Sequence, residues 1–251
     1  MNTLDRRLVA VVTGAGQNIG KACALRLASM GFDVLVHGGS NHSRCESVAT
    51  EITRRFPDRR TEICIADLSS PTGCQRLIEV GIQAFGGADV LVNCVAVRPE
   101  AVYTEISLDE WSSVFQTNLI APFLLSQAFI GGMQERQWGR IINFAGMNAI
   151  AGYHRRAHVS ASKHGVVGLT KAIAREFARE GVTANVISPG PIRGQYDDPE
   201  LRHHIETQIA KVPTGRLGTS EEIAGLVGYL ASQEGAFCNG QLLSINGGAA
   251  T

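Results

Sequence analysis

The sequence predicts an α/β protein. It reads as a single doubly wound domain whose seven-stranded, mainly parallel sheet is covered by helices on both faces. Three observations carry that prediction. Short runs rich in Val, Ile and Leu alternate with longer helix-like segments along the whole chain, the pattern of repeated βαβ units. The strand-like runs are apolar throughout, which suits parallel strands buried on both faces. Gly31, Gly86, Gly139 and Gly181 stand where the intervening helices should stop.

The first run, 8–13, leads directly into Thr13-Gly14-Ala15-Gly16-Gln17-Asn18-Ile19-Gly20 and then into a helix over 19–30. A strand, a glycine-rich turn and a helix N-terminus in that order form a dinucleotide cradle. The glycines allow tight backbone geometry, and the first amides of the helix are free to face a pyrophosphate. The domain is therefore expected to be Rossmann-like. Asn18 occupies a glycine-like place in the turn, and Asn tolerates the left-handed backbone. Further strands are expected over 33–37, 61–66, 90–94, 139–144, 183–188 and 241–245, with helices over 45–56, 71–85, 108–134, 157–180 and 220–231. One segment breaks the alternation. Residues 189–214 are long, polar and proline-rich, and they follow the sixth strand at the edge where such folds bind ligands. A substrate lid is expected there, at about 190–214, within one domain spanning 1–251.

Composition narrows the function classes. The chain has 251 residues, and its 23 Lys and Arg balance 23 Asp and Glu. No basic block suggests nucleic acid. The N-terminus lacks the apolar region of a signal peptide, and no stretch reads as long enough for a membrane span. A cytoplasmic protein with no membrane or nucleic-acid partner is expected. None of the six cysteines forms a C-x-x-C pair, so neither a disulfide framework nor a metal is expected. Cys94, at the end of the fourth strand, reads either as a nucleophilic thiolate or as a small residue filling a gap.

From Thr13 to Gly248 the order and spacing of motifs resembles the short-chain dehydrogenase/reductase family. The glycine turn resembles that family's T-G-x-x-x-G-x-G. Asp67 matches its adenine-contacting acid, and Leu91-Val92-Asn93 matches the start of its N-N-A-G element. Asn118 matches the helix asparagine of its catalytic tetrad. Ser160-Ala161-Ser162-Lys163 matches the end of its Y-S-A-S-K segment, Pro189-Gly190 its P-G turn, and Asn246-Gly247-Gly248 its closing D-G-G. The resemblance implies dinucleotide contacts from Gly14, Gly16, Gln17, Asn18, Ile19, Gly20, Ser40, Asn41, Asp67, Leu68, Asn93, Lys163, Pro189, Gly190 and Ile192. It also implies hydride transfer on a small organic substrate, and a homo-dimer or homo-tetramer built through the two long helices. No acid follows the second strand to hold a ribose 2′-hydroxyl, whereas Ser40, Asn41 and Arg44 could surround a 2′-phosphate. Gln17 stands where many NADP-binding relatives carry a basic residue. NADP is slightly preferred over NAD.

The resemblance fails at two positions that touch substrate in the family. Its tyrosine, four residues before the lysine, is Val159 here, and its serine, thirteen residues earlier, is Gly146. Asn118 and Lys163 remain. Tyr153 and His154, on the connection after the fifth strand, are the candidate substitute proton donors. Arg155 and Arg156 read as a solvated cap region, Arg155 sharing a helix face with Val159 if the helix starts early enough. His158 reads as a packing or interface residue, and Tyr103 and Tyr196 as possible borders of the pocket. Three functional classes stay open. One is an atypical oxidoreductase with a substitute donor. Another is a redox-neutral lyase, hydrolase or isomerase retaining the dinucleotide. The third is a non-catalytic dinucleotide-binding partner subunit.

Overall fold

The computed structural model describes residues 7–195 and 199–250. The expected readings on the N-terminal residues 1–6 and on Tyr196 lie outside that range. Seven strands form one sheet: β1 (Val9–Val12), β2 (Asp33–Gly38), β3 (Thr61–Ile65), β4 (Val90–Asn93), β5 (Gly139–Phe144), β6 (Val182–Pro189) and β7 (Leu242–Ile245). Their order is β3-β2-β1-β4-β5-β6-β7, and every pairing is parallel. After β3 the chain returns across β1 to lay down β4 on its other side. The connections leaving β1 and β4 diverge there, which opens a crevice at the carboxyl ends of the strands.

Alternation along each strand feeds two cores. Ala10, Val12, Val34, Val36, Val90, Val92 and Ile142 pack with α1 (Asn18–Ser29), α2 (His42–Arg55) and α9 (Ser220–Leu230). Val11, Leu35, Leu91 and Ile141 point the other way. They pack with α3 (Pro71–Phe85), α5 (Ala121–Glu135) and α7 (Ala157–Glu176). Successive strand side chains face opposite sides, so an all-apolar strand needs helices on both.

Four differences from the sequence reading matter. The expected helix over 108–134 is interrupted: α4 (Leu108–Phe115) passes into a π-turn at Gln116–Ile120 and then into α5. Pro122 explains the break, because it has no N–H to offer the carbonyl four residues earlier, that of Asn118. The whole run Leu108–Glu135 is also long and apolar enough to cross a membrane by length and composition, which corrects the reading that no such stretch exists. Its buried residues, Val114, Leu125, Phe129 and Met133 among them, belong to the protein core. The helix expected over 157–180 ends at Glu176 and finishes in a 3-10 turn, Ala178–Glu180. Gly181, at φ +73°, stops it, and a Cβ there would lie 2.1 Å from the Gln137 carbonyl oxygen. The expected lid loop contains α8 (Pro199–Thr207) and a 3-10 turn, and a short α6 (Met147–Ala151) precedes the Tyr153 connection.

Candidate active site

Thr13 closes β1 by tying it to the chain leaving β4. Its Oγ1 accepts from the Cys94 and Val95 amides at 2.9 and 3.1 Å and donates to the Val92 carbonyl at 3.3 Å. Gly14 follows at φ +66°. Its N–H donates to Nδ1 of His37 at 3.2 Å, and the Ala15 N–H donates to the His37 carbonyl at 2.8 Å. Gly20 is required by contact: a Cβ there would lie 2.0 Å from the Gly14 carbonyl oxygen. The first turn of α1 therefore packs directly on the glycine turn, and Asn18 begins the helix at φ +47°.

The turn fits a dinucleotide on its own geometry. The first amides of a helix have no intrahelical acceptor. Gln17, the N-cap of α1, makes no side-chain cap bond among the described residues, and no acid stands in the first turn. These donors are thus left for an anion, at the positive end of the helix dipole. The neighbouring residues are arranged less simply than expected. The Arg44 guanidinium is brought to the turn and contacts Gln17 Oε1. Ser40 is exposed. Asn41 serves as the N-cap of α2, accepting from the Arg44 amide at 3.0 Å and the Ser43 hydroxyl at 2.9 Å. Asp67 is exposed, and the Ser69 amide and hydroxyl, at 2.9 and 2.7 Å, hold its carboxyl below the usual range. Leu68 is buried in the core.

Beneath the crevice runs a polar chain that the sequence did not advertise. Asn93 and Asn143 are partners across β4 and β5. The Asn93 amide donates to Asn143 Oδ1 at 2.8 Å, and the Asn143 amide donates to Thr170 Oγ1 at 2.8 Å. The Asn93 side chain thus enters the interior toward α7, and its own Oδ1 has no partner among the described residues. Asn118, in the π-turn, is buried. It accepts from the Val97 amide at 2.9 Å and donates to the Val97 carbonyl at 3.0 Å and to Ser162 Oγ at 3.1 Å. It therefore links the chain after β4 to α7.

Lys163, 3% exposed, donates from Nζ to the Phe144 carbonyl at 2.7 Å. Burial pulls its pKa down to about 8, with Cys94 nearby acting upward and Arg98 downward. Cys94 is corrected as a nucleophile: burial pushes its pKa up to about 12, so the neutral thiol persists at physiological pH. Val159 is 2% exposed and packs with Val114 and Ala149. Gly146 caps α6, and a Cβ built there meets nothing within 4 Å among the described residues.

Tyr153 is half-buried, with the Arg156 guanidinium 4.4 Å from its ring centroid, and His154 is exposed. Arg156 also pairs with Glu100 and is 16% exposed, which corrects its reading as a solvated cap. Arg155 lies outside α7 at φ +58°, so it shares no helix face with Val159. His158 is buried and contacts Glu110 at 3.3 Å. Tyr103 is largely exposed.

Pro189 ends β6, and the Gly190 amide donates to the Ile245 carbonyl at 3.0 Å. A Cβ on Gly190 would lie 2.7 Å from the Asn246 Cα. Ile192 is buried and bridges to Gly218. A cavity of about 90 Å³ opens among Ile192, Val212, Arg216, Ile223 and Asn246, and neither the glycine turn nor Lys163 lines it. The sequence reading missed His37 and the Asn143–Thr170 pair, and it named Thr13 without its tie to the chain after β4. A histidine inside the apolar run Val34-Leu35-Val36-His37 was the available signal, since a buried polar group demands partners.

The parallel sheet, the glycine turn at its switch point and the buried lysine beside β5 define a dinucleotide-binding α/β protein of the kind that carries dehydrogenases. Residues 14–250 match the family model described as enoyl-(acyl carrier protein) reductase. The chain is 36% identical over 240 residues to a 3-oxoacyl-(acyl-carrier-protein) reductase of Vibrio cholerae, covering 96% of each. It is 33% identical to an acetoacetyl-CoA reductase of an Acinetobacter species, covering 98% of each. A solved structure from Beutenbergia cavernae superposes with a TM-score of 0.87 at 36% identity, covering 96% of each chain. That protein is provisionally named an NAD(P)-dependent gluconate 5-dehydrogenase and holds NADP at low occupancy. The chain belongs to the short-chain dehydrogenase/reductase family.

Proposed function

We propose that the chain is an NAD(P)-dependent oxidoreductase acting on a small carbonyl or alcohol substrate, with NADP slightly preferred, and that it works without the family's serine–tyrosine pair. The dinucleotide part rests on the Gly14–Gly20 contact and the uncapped start of α1. The NADP-bound relative and the reductase names among the similar proteins support it. The atypical part rests on Val159, whose side chain joins an apolar cluster where the family resemblance calls for a phenol.

The glycine turn, with Gln17, Asn18 and Ile19, would hold the pyrophosphate. Ser40 and Arg44 would meet the adenosine ribose or its 2′-phosphate, Asp67 and Leu68 the adenine, and Lys163, Pro189, Gly190 and Ile192 the nicotinamide half, whereas Asn93, expected among these contacts, is turned inward to Asn143. When bound, the nicotinamide supplies or accepts hydride. Reduction leaves negative charge on the carbonyl oxygen, and a proton must follow. Lys163 would bring an ammonium toward that oxygen, and Asn118 ties the chain after β4 to α7. Tyr153 or His154 delivers the proton from the connection after β5. A positioned general acid contributes about 10²–10⁴ in rate and an oxyanion donor about 10²–10³, and such groups act as a unit. Turnover is therefore expected to be slow.

One assay tests this: nicotinamide absorbance across a panel of carbonyls and alcohols, with the parent, Lys163→Ala and the double variant Gly146→Ser/Val159→Tyr. Slow parent turnover, a loss of at least about tenfold in Lys163→Ala and a gain of roughly a hundredfold in the double variant are expected. No absorbance change with any substrate overturns the oxidoreductase reading. A second reading, a redox-neutral lyase, hydrolase or isomerase, rests on the same apolar Val159. It predicts product without net change in nicotinamide absorbance.

A further inference from the structure

The chain that leaves β6 is anchored at two places. At the first, just before α9, the Arg193 amide donates to the Gly218 carbonyl at 2.8 Å, and the Gly218 amide donates to the Pro191 carbonyl at 3.0 Å. The post behind Gly218 is firm: Thr219 and Glu222 form a capping box at the start of α9, and Glu222 also takes the Arg216 guanidinium. The second anchor is Asn18, at the start of α1. The Gln195 amide donates to Asn18 Oδ1 at 2.7 Å, and Asn18 Nδ2 donates to the Gln195 carbonyl at 3.0 Å.

A side-chain amide here makes the two bonds that a neighbouring strand would make, across 177 positions of sequence. Asn suits the place on two counts. It accepts the left-handed backbone, and its planar head carries a donor and an acceptor together. Glycine would satisfy the backbone and leave residue 195 untied. Residues 191–195 thus run as a strap from the post at Gly218 to the glycine turn after β1.

We propose that Asn18 is a positioning residue that latches the 191–195 strap over the dinucleotide crevice and so sets how long a bound dinucleotide stays. The retention role rests on the dinucleotide reading given above. The latch itself is formed by protein atoms alone. A dinucleotide held on the glycine turn would lie against this strap, and the two Asn18 bonds would keep the strap closed on the turn that holds it.

Two substitutions separate the parts. Asn18→Gly keeps the left-handed backbone and removes both bonds, while Asn18→Asp keeps the acceptor for the Gln195 amide. Hydrogen exchange of the 191–195 segment without dinucleotide is expected to speed up roughly tenfold in Asn18→Gly and by less in Asn18→Asp, which keeps the acceptor for the Gln195 amide but loses the donor to its carbonyl. Stopped-flow release of NADPH or NADH into excess competitor is expected to accelerate roughly ten- to thirtyfold in Asn18→Gly, the effect of two net hydrogen bonds, with the thermal midpoint near the parent's. Unchanged exchange in Asn18→Gly overturns the latch. Faster exchange with a release rate within about twofold of the parent overturns the retention role. If neither protein binds either dinucleotide, the dinucleotide reading fails and retention with it, whereas the exchange result still judges the latch.

Discussion

His37 is the residue on which the glycine turn leans. It is fully buried in β2, accepts from the Gly14 amide at Nδ1 and donates from Nε2 to the Ala66 carbonyl at 2.9 Å. That pair of bonds requires the neutral ring with its proton on Nε2. Burial pushes the pKa down to about 4, outweighing the upward pull of the Ala66 carbonyl and of Asp67. The unfolded chain takes up its proton near pH 6.5 and the folded one only near pH 4. The stabilisation from the neutral ring is therefore complete above pH 6.5 and is lost as pH falls toward 4, to the extent of about 3 kcal/mol. Urea unfolding of the parent and of His37→Gln tests this. Their stability difference is expected to shrink by about that amount between pH 7 and pH 4, and a difference independent of pH would contradict it.

At the scale of elements, the decisive contact is between α1 and the turn before it. Gly20 has no room for a methyl group, since the obstacle is the Gly14 carbonyl and not a movable side chain. Gly20→Ala must therefore push α1 off the turn. A loss of roughly 2 kcal/mol or more is expected from such overpacking, together with at least tenfold weaker dinucleotide binding, read by thermal unfolding and fluorescence titration. A variant that kept both would show that the turn yields easily. The π-turn at Gln116–Ile120 is a second device of this kind. Pro122 frees the Asn118 carbonyl, while the Asn118 side chain is spent on Val97 and Ser162. The irregularity thus stands at the residue the family resemblance marks, where π-turns often carry function.

The whole molecule leaves apolar surface along its longest helical run. Leu108 and Phe123 are 77% and 40% exposed, and Ile120 lies between them in sequence at 37%. Other residues of the same run, such as Leu125 and Met133, are buried. The dimer or tetramer that the family resemblance implies is expected to cover these exposed side chains. Light scattering after size exclusion is expected to give a multiple of the monomer mass, reduced by Phe123→Glu, and a monomeric parent would overturn the expectation.

Much of this was legible in the chain itself. Strand-forming runs such as 139–144 and helix stops at Gly31, Gly86 and Gly181 depend on local chemistry, namely apolar periodicity and freedom of φ, whereas Gly139, also expected to stop a helix, opens β5 and α5 ends before Gln137 at φ +54°. So do the glycine turn and the absence of Ser and Tyr at 146 and 159. Only the folded molecule decided where polar side chains spend their bonds. Asn41 caps a helix, Asn93 turns inward to Asn143, Arg156 stacks on Tyr153, and Asn18 reaches Gln195. Partners up to 177 positions apart leave no periodic trace in sequence, because the sheet order that brings them together is set by packing on both faces at once.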